Sequence, residues 1–185
     1  MKLIFNIVAI VFVILSFVLL VFNSINVEIR WYGVSYTSNL YNGSGDKVKV
    51  LVDSLSKEAS GYDIAFGGKG FSGSFLNQLI IILLAVLAFV LLLRFIFSFI
   101  ERFNKINVIF GLVAGWGILL IGIFIWLFPV FAKFSNDILS VIKEKDEFGY
   151  EVIVSKSMTP MVFFSGLVAV FSGLCSLISI HLRFD

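Results

Sequence analysis

The sequence predicts an α-helical membrane protein, a four-helix transmembrane bundle with a small extracytoplasmic β element built from both outer loops. Of the 185 residues, 59% are hydrophobic and 14% are charged, and the mean hydropathy is +1.05. Soluble domains are nearer one quarter charged. Four apolar runs are each long enough to cross a bilayer core about 30 Å thick. The polar segments 23–74 and 132–158 separate these runs and show strand-like alternation.

Each apolar run predicts one membrane-spanning helix of a single tetraspan domain. We expect these helices over residues 3–22, 75–100, 106–131 and 161–180, with the fully apolar part of the second run ending near Leu93. The first run is long for the apolar part of a signal peptide and lacks a small-residue cleavage site. We therefore interpret it as a retained helix.

The distribution of basic residues predicts that both termini lie in the cytoplasm and that the chain is a multi-pass protein of the cell (plasma) membrane. Short inner loops attract Lys and Arg. With inner termini, the inner segments carry a basic excess, and the outer loops carry nine Lys/Arg and ten Asp/Glu, a net charge of −1. All five tyrosines fall on the outer side. The inner charges are Lys2, Arg94, Arg102, Lys105 and Arg183 against Glu101 and Asp185.

The outer segments predict a small antiparallel sheet. Val27, Ile29 and Trp31 alternate with polar neighbours, and residues 48–52 read as a second strand after turn residues at 41–46. Because a two-stranded hairpin is marginal alone, we expect a third strand at residues 150–154. Asn42-Gly43-Ser44 also matches a glycosylation sequon, although a turn is the favoured interpretation.

A glycine-rich stretch leads into the second helix. Gly67-Gly68-Lys69-Gly70 suggests a phosphate-binding loop, but the pattern would require glycine at Asp63 and Ser or Thr at Gly70. We interpret the stretch as a tight loop, with Tyr62, Phe66 and Phe71 as aromatic anchors at the headgroup level.

Two polar residues interrupt the helices near their inner ends. The favoured prediction places Asn6 near the inner headgroups and lets Arg94 extend to lipid phosphates; the alternatives are an interhelical hydrogen bond and a functional intramembrane charge. Arg94, Glu101 and Arg102 share one helix face, which predicts a helix that projects from the membrane and turns at Asn104-Lys105.

Small residues predict where the helices pack. The third helix carries Gly111 and Gly115 in a small-xxx-small pattern, and it is expected to continue past the membrane before residues 143–147. The fourth helix carries a continuous heptad stripe. We expect this stripe to pack against a neighbour, and the sharper alternative is a polar pore lining. Its members are Ser165, Ala169, Ser172, Ser176 and Ser179.

The sequence offers little for catalysis or cofactor binding. It holds none of the common metalloprotease, metal-ligand or nucleophile-base patterns, and its single histidine, His181, lies beside Arg183 at a helix end. The single cysteine, Cys175, lies in an apolar run, so no intramolecular disulfide is possible. We expect no enzyme activity, no cofactor and no metal, and the small net charge of +2 predicts no nucleic-acid partner.

Two resemblances follow from this organisation. The arrangement resembles that of claudin-type tetraspan proteins, which have four spans with inner termini, a long first outer loop of strands and a shorter second loop. Residues 126–180 carry most of this resemblance. The two cysteines of the claudin first loop are absent here. The stretch Ser60-Gly61-Tyr62-Asp63-Ile64-Ala65-Phe66-Gly67 before a span resembles short uncharacterised four-span membrane proteins of Gram-positive bacteria and mollicutes.

These features predict a non-enzymatic scaffold or interaction subunit. Its outer β element is expected to contact a membrane-protein partner or a second copy, through exposed aromatic residues of the kind that dominate interface energetics. The alternative is an accessory or pore-forming subunit of a channel or transporter. The predicted outer-face interaction residues are Trp31, Tyr32, Tyr36 and Tyr41.

Overall fold

The computed structural model describes residues 2–37, 46–100 and 104–181. In this part of the chain, four helices are long and apolar enough to cross a membrane, which confirms the predicted number. They are α1 (Lys2–Val21), α3 (Phe75–Phe97), α4 (Asn104–Ile125) and α6 (Pro160–His181), and two shorter helices are α2 (Gly61–Phe66) and α5 (Asn136–Glu147).

The four long helices form a bundle in which α6 is the central member. It packs closely against α1 on one side and α4 on the other, while α3 packs mainly against α4 and less against α1. Side chains such as Val13, Leu84 and Ile118 fill the space between them, and the outward faces carry large apolar residues. This pattern suits helices whose backbone groups are satisfied internally and whose surface meets lipid.

The third long helix is shorter than predicted. Helix α4 ends at Ile125, turns occupy residues 126–131, and helix α5 begins separately at Asn136, so the predicted continuous extension is wrong. Pro129 gives the physical reason, because a proline ring clashes with the carbonyl four residues earlier, here that of Ile125. Helix α3 likewise ends at Phe97, and Glu101 and Arg102 of the predicted projecting face lie outside the described residues.

The two polar segments between the long helices form a three-stranded antiparallel sheet, as predicted. Strand β1 (Asn23–Thr37) lies between β2 (Asp46–Ser60) and β5 (Glu151–Met158), so both polar segments contribute. The predicted third strand is therefore confirmed, with Ile29 opposite Val154. Alternation places Ile25, Val27 and Ile29 on the buried face, where Ile64 of α2 and Ile138 of α5 share one core with them.

A second, two-stranded sheet was not predicted. Strand β3 (Phe71–Ser72) pairs with β4 (Lys133–Phe134), and the Phe71 and Phe134 rings stack 5.6 Å apart between centroids. Phe71 is buried in this contact, so its predicted place as a headgroup anchor is wrong. The tight loop before β3 turns through positive φ at Gly67 and Gly70, and a side chain at Gly70 would collide with Ile138.

Candidate functional site: a buried arginine node and a hairpin arm

The serine stripe of α6 lies inside the bundle. All five stripe residues are fully buried, and the hydroxyls of the four serines bond to neighbouring helices. Ser165 donates to the Ser16 carbonyl at 2.9 Å and Ser172 to the Ala9 carbonyl at 2.7 Å, both on α1. The hydroxyls therefore join α6 to α1 along much of the length of the pair.

Arg94 crosses the bundle to reach the C-terminal end of this stripe. Its side chain belongs to α3 and is only 2% exposed, and one guanidinium nitrogen donates to the Ser176 carbonyl at 3.1 Å and to the Ser176 hydroxyl at 2.7 Å. The other donates to the Ser179 hydroxyl at 2.5 Å. The prediction that Arg94 extends to lipid phosphates is wrong, because α6 offers three acceptors within reach inside the protein.

Asn6 joins the same cluster from α1. It is buried, and its Oδ1 accepts a hydrogen bond from the Ser179 hydroxyl at 2.9 Å. The predicted position near the headgroups is therefore wrong, and the interhelical bond is the observed arrangement. We name Asn6, Arg94, Gly111, Ser176 and Ser179 the arginine node, because Ser176 also donates to the Gly111 carbonyl at 3.1 Å. The node draws one or more residues from each long helix.

Gly111 belongs to the node for steric reasons. A Cβ atom on Gly111 would lie 2.6 Å from Arg94 Cζ and 2.8 Å from Ile180 Cδ1. Real Cβ contacts essentially never fall below 3.0 Å. Glycine at this position is therefore what allows the guanidinium to pass between α4 and α6.

Glycines also bring the α4 and α6 backbones into direct contact. A Cβ on Gly173 would lie 2.6 Å from the Gly115 carbonyl oxygen, and a Cβ on Gly122 would lie 2.8 Å from the Gly166 carbonyl oxygen. Sequence reasoning assigned Gly115 to packing but missed Gly166 and Gly173. Their spacing of seven, one residue after Ser165 and Ser172, was the signal that could have identified them.

The node has a restricted chemistry. Arginine keeps its proton in proteins, and hydroxyls and amides do not titrate near neutral pH, so these groups bind and orient through hydrogen bonds and charge. Within residues 2–37, 46–100 and 104–181, no three His, Cys, Asp or Glu side chains lie close enough together to hold a metal ion. His181 lies exposed at the end of α6.

Trp31 does not belong to an exposed aromatic surface. It is 2% exposed under α5, with the Lys145 ammonium 4.1 Å from its ring centroid, so its predicted exposure on the outer face is wrong. Lys145 also pairs with Asp53 of β2, and this hydrogen bond holds the Asp53 pKa below its ordinary value. Tyr32 is half-buried, whereas the Tyr36 side chain, Tyr41 and the Asn42 turn lie outside the described residues.

The far half of the β1–β2 hairpin extends beyond the third strand. Pairing with β5 stops at Tyr32, and a bulge at Val52 shifts the β1–β2 register between Trp31 and Tyr32. We name residues 33–37 and 46–52 the hairpin arm. Within the described residues, β2 is the only strand that pairs with the β1 part of the arm. The opposite backbone edge of β1 is therefore open there.

The hairpin arm exposes apolar side chains. Val34 is 58% exposed, Leu51 51% and Val52 52%, and Phe148 is 74% exposed in the turn before β5. The bulged Val52 packs close to Gly33, where an added Cβ would lie 3.0 Å from Val52 Cγ2 and 3.5 Å from the Tyr150 ring. An open strand edge flanked by exposed valine and leucine is a surface suited to pairing with another chain.

Comparison of the sequence with protein-family models and with curated proteins gives no match. The resemblances to claudin-type and bacterial four-span proteins therefore stay predictions.

Proposed function

We propose that the chain is a multi-pass protein of the plasma membrane, with both termini in the cytoplasm and the three-stranded sheet on the outer side. Four long apolar helices support the membrane location. The charge distribution supports the orientation although Arg94 is buried and is therefore not one of the basic residues at the inner surface. The remaining inner basic residues, Lys2, Arg102, Lys105 and Arg183, still outnumber Glu101 and Asp185.

Cysteine labelling in intact cells tests this orientation. Ser54 on β2 and Lys105 at the start of α4 are both exposed, and they lie at opposite ends of the bundle. In a Cys175→Ser background, S54C is expected to react with a membrane-impermeant maleimide and K105C to react only after lysis. The reverse pattern would overturn the orientation.

In this orientation the protein acts as a non-enzymatic interaction subunit that presents the hairpin arm to a protein partner or to a second copy. The single observation that carries this function is the arm itself, a strand pair with an open edge and exposed Val34, Leu51 and Val52. Monomeric proteins usually protect such edges with charges, prolines or covering elements. Pairing with a partner strand would satisfy the open backbone groups and bury these side chains.

An accessory or pore-forming role in a channel or transporter has less support. Such a role needs a hydrated polar face inside the bundle. The described hydroxyls of the stripe instead bond to α1, to α4 and to Arg94. We therefore keep the interaction subunit as the proposed function.

Site-specific crosslinking tests the proposed interaction. A photoreactive residue at Val34 is expected to give a defined adduct in intact membranes, and the same residue at Ser140, exposed on α5, serves as the control. Substitution of Leu51 by serine should reduce the Val34 adduct without changing expression. If Val34 crosslinks only to lipid and the purified protein has the mass of an unaccompanied monomer, the proposed function is wrong.

A further inference from the structure

The structure contains an apolar groove between α3 and α4 in the half of the bundle nearest the sheets. Its volume is about 490 Å³, within the range of ligand sites, which are concave and mostly apolar. Aliphatic and aromatic side chains of the two helices line it. Phe131, in the turn after α4, lines its outer end. The principal lining residues are Leu76, Leu83 and Leu87 from α3, and Leu120, Phe124 and Phe131 from α4 and the turn after it.

Two lysines belong to strands next to the end of the groove at Phe131. Lys133 follows Phe131 by two residues and pairs with Ser72, which precedes Leu76 by four residues, so both walls of the groove lead to the same strand pair. The Lys156 ammonium donates to the Ala132 carbonyl at 3.1 Å and lies 5.0 Å from the Phe134 ring centroid. Lys156 therefore lies against the same short strand.

Neither ammonium group forms an ion pair in the described part of the chain. Its four ion pairs involve other cations, namely Arg30, Lys49, Lys69 and Lys145. Both lysines are exposed. The groove is thus apolar along its length, and two exposed lysines lie on the strands that adjoin its end.

We propose that this groove binds an anionic phospholipid from the leaflet on the sheet side, with an acyl chain along α3 and α4 and the headgroup phosphate at Lys133 and Lys156. The chemistry is complementary at both ends. An acyl chain buries methylene groups against leucine and phenylalanine, and an anionic headgroup meets two ammonium groups near the membrane surface. The proposal rests on the membrane location proposed above and is independent of any partner of the hairpin arm.

Lipid titration of the purified full-length protein tests this site. The probes are phosphatidylglycerol and phosphatidylcholine with identical acyl chains, added to delipidated protein in mild detergent and followed by native mass spectrometry. Each lysine near an anionic headgroup contributes about fivefold to affinity, so K133Q/K156Q should weaken phosphatidylglycerol binding about 30-fold. Phosphatidylcholine binding should change far less, and K143Q, an exposed lysine of α5, is the matched control.

A groove-filling variant tests the acyl-chain part separately. L83W adds bulk to the lining and should weaken binding of both lipids, provided that circular dichroism shows unchanged helix content. The proposal is overturned if the wild type binds both lipids equally, or if K133Q/K156Q retains the preference for phosphatidylglycerol. The lysine variants keep the test decisive where L83W does not fold, because both positions are exposed.

Discussion

Gly173 offers a direct test of the contact between α4 and α6. In Gly173→Ala, the new Cβ would lie 2.6 Å from the Gly115 carbonyl oxygen and 2.8 Å from the Leu119 backbone nitrogen. Both are backbone atoms, so no side-chain rotation relieves the clash. A close carbon-oxygen contact is about 3.3 Å, so the two helices would separate by about 0.7 Å.

The expected cost follows from three contributions. Overpacking of a dense interface costs about 1–3 kcal/mol, and a gap of this size removes about a quarter to a half of each dispersion contact across it. The hydrogen bond from the Ser176 hydroxyl to the Gly111 carbonyl is 3.1 Å long and would lengthen, and its loss costs about 0.6 kcal/mol. Against these, alanine gains about 0.5–1 kcal/mol over glycine inside a helix. The net loss of stability is about 1–3 kcal/mol.

Unfolding in mixed micelles of dodecyl sulfate and a mild detergent, followed by far-ultraviolet circular dichroism, measures this loss. The control is Gly117→Ala in α4, where the three atoms nearest to the added Cβ all belong to the flexible Leu87 side chain. The control keeps the helix-propensity gain without the backbone clash, so it should unfold at the wild-type detergent fraction or above it. If Gly173→Ala and Gly117→Ala unfold at the same detergent fraction, the close backbone contact between α4 and α6 does not exist.

Two further predictions concern the serine stripe and the three-stranded sheet. Ser172→Leu should destabilise the bundle more than Ser172→Ala in the same titration. The Ser172 hydroxyl lies 2.7 Å from the Ala9 carbonyl oxygen, so a leucine has no room there. Equal losses of stability would refute a packing role for the stripe. Lys145 holds the Asp53 pKa low, so the carboxylate stabilises the fold above its unfolded pKa of about 3.9, and this stabilisation is lost as pH falls through the lower folded pKa. Unfolding followed by Trp31 fluorescence should therefore show that the wild type is more stable than K145Q near neutral pH and that this difference shrinks in the acidic window. If the stabilities of the two proteins change in parallel with pH, the Asp53–Lys145 pair does not stabilise the fold.

The β element was predictable because its residues alternate with a period of two. That alternation placed Trp31 on the same face as Val27 and Ile29, which are buried. The expectation of an exposed Trp31 failed because its cover, Lys145 on α5, lies more than a hundred residues later in the chain and belongs to a helix that was not predicted as a separate element. A period identifies the two faces of a strand, but the element that covers one of them is a tertiary property.

The interior of the bundle shows the same limit. Arg94 and Asn6 lie near helix ends, where an isolated helix would extend them to the headgroups. The serine hydroxyls that hold them inside, those of Ser176 and Ser179, come from a helix about eighty or more residues later, so no local pattern reveals the pairing. The stripe itself was recognisable from its heptad spacing, because that spacing is a property of one helix.

The position of the glycines inside the bundle bears on the proposed interaction surface. Helices associate in lipid by close approach at small residues, and Gly115, Gly122, Gly166 and Gly173 already face one another between α4 and α6. The outward faces carry large side chains such as Phe89, which do not allow such an approach. Under the proposed function, we therefore expect specific recognition of a second protein at the hairpin arm, where backbone groups and exposed side chains are both available. An association that depended on Phe89 and was indifferent to Leu51 would contradict this division.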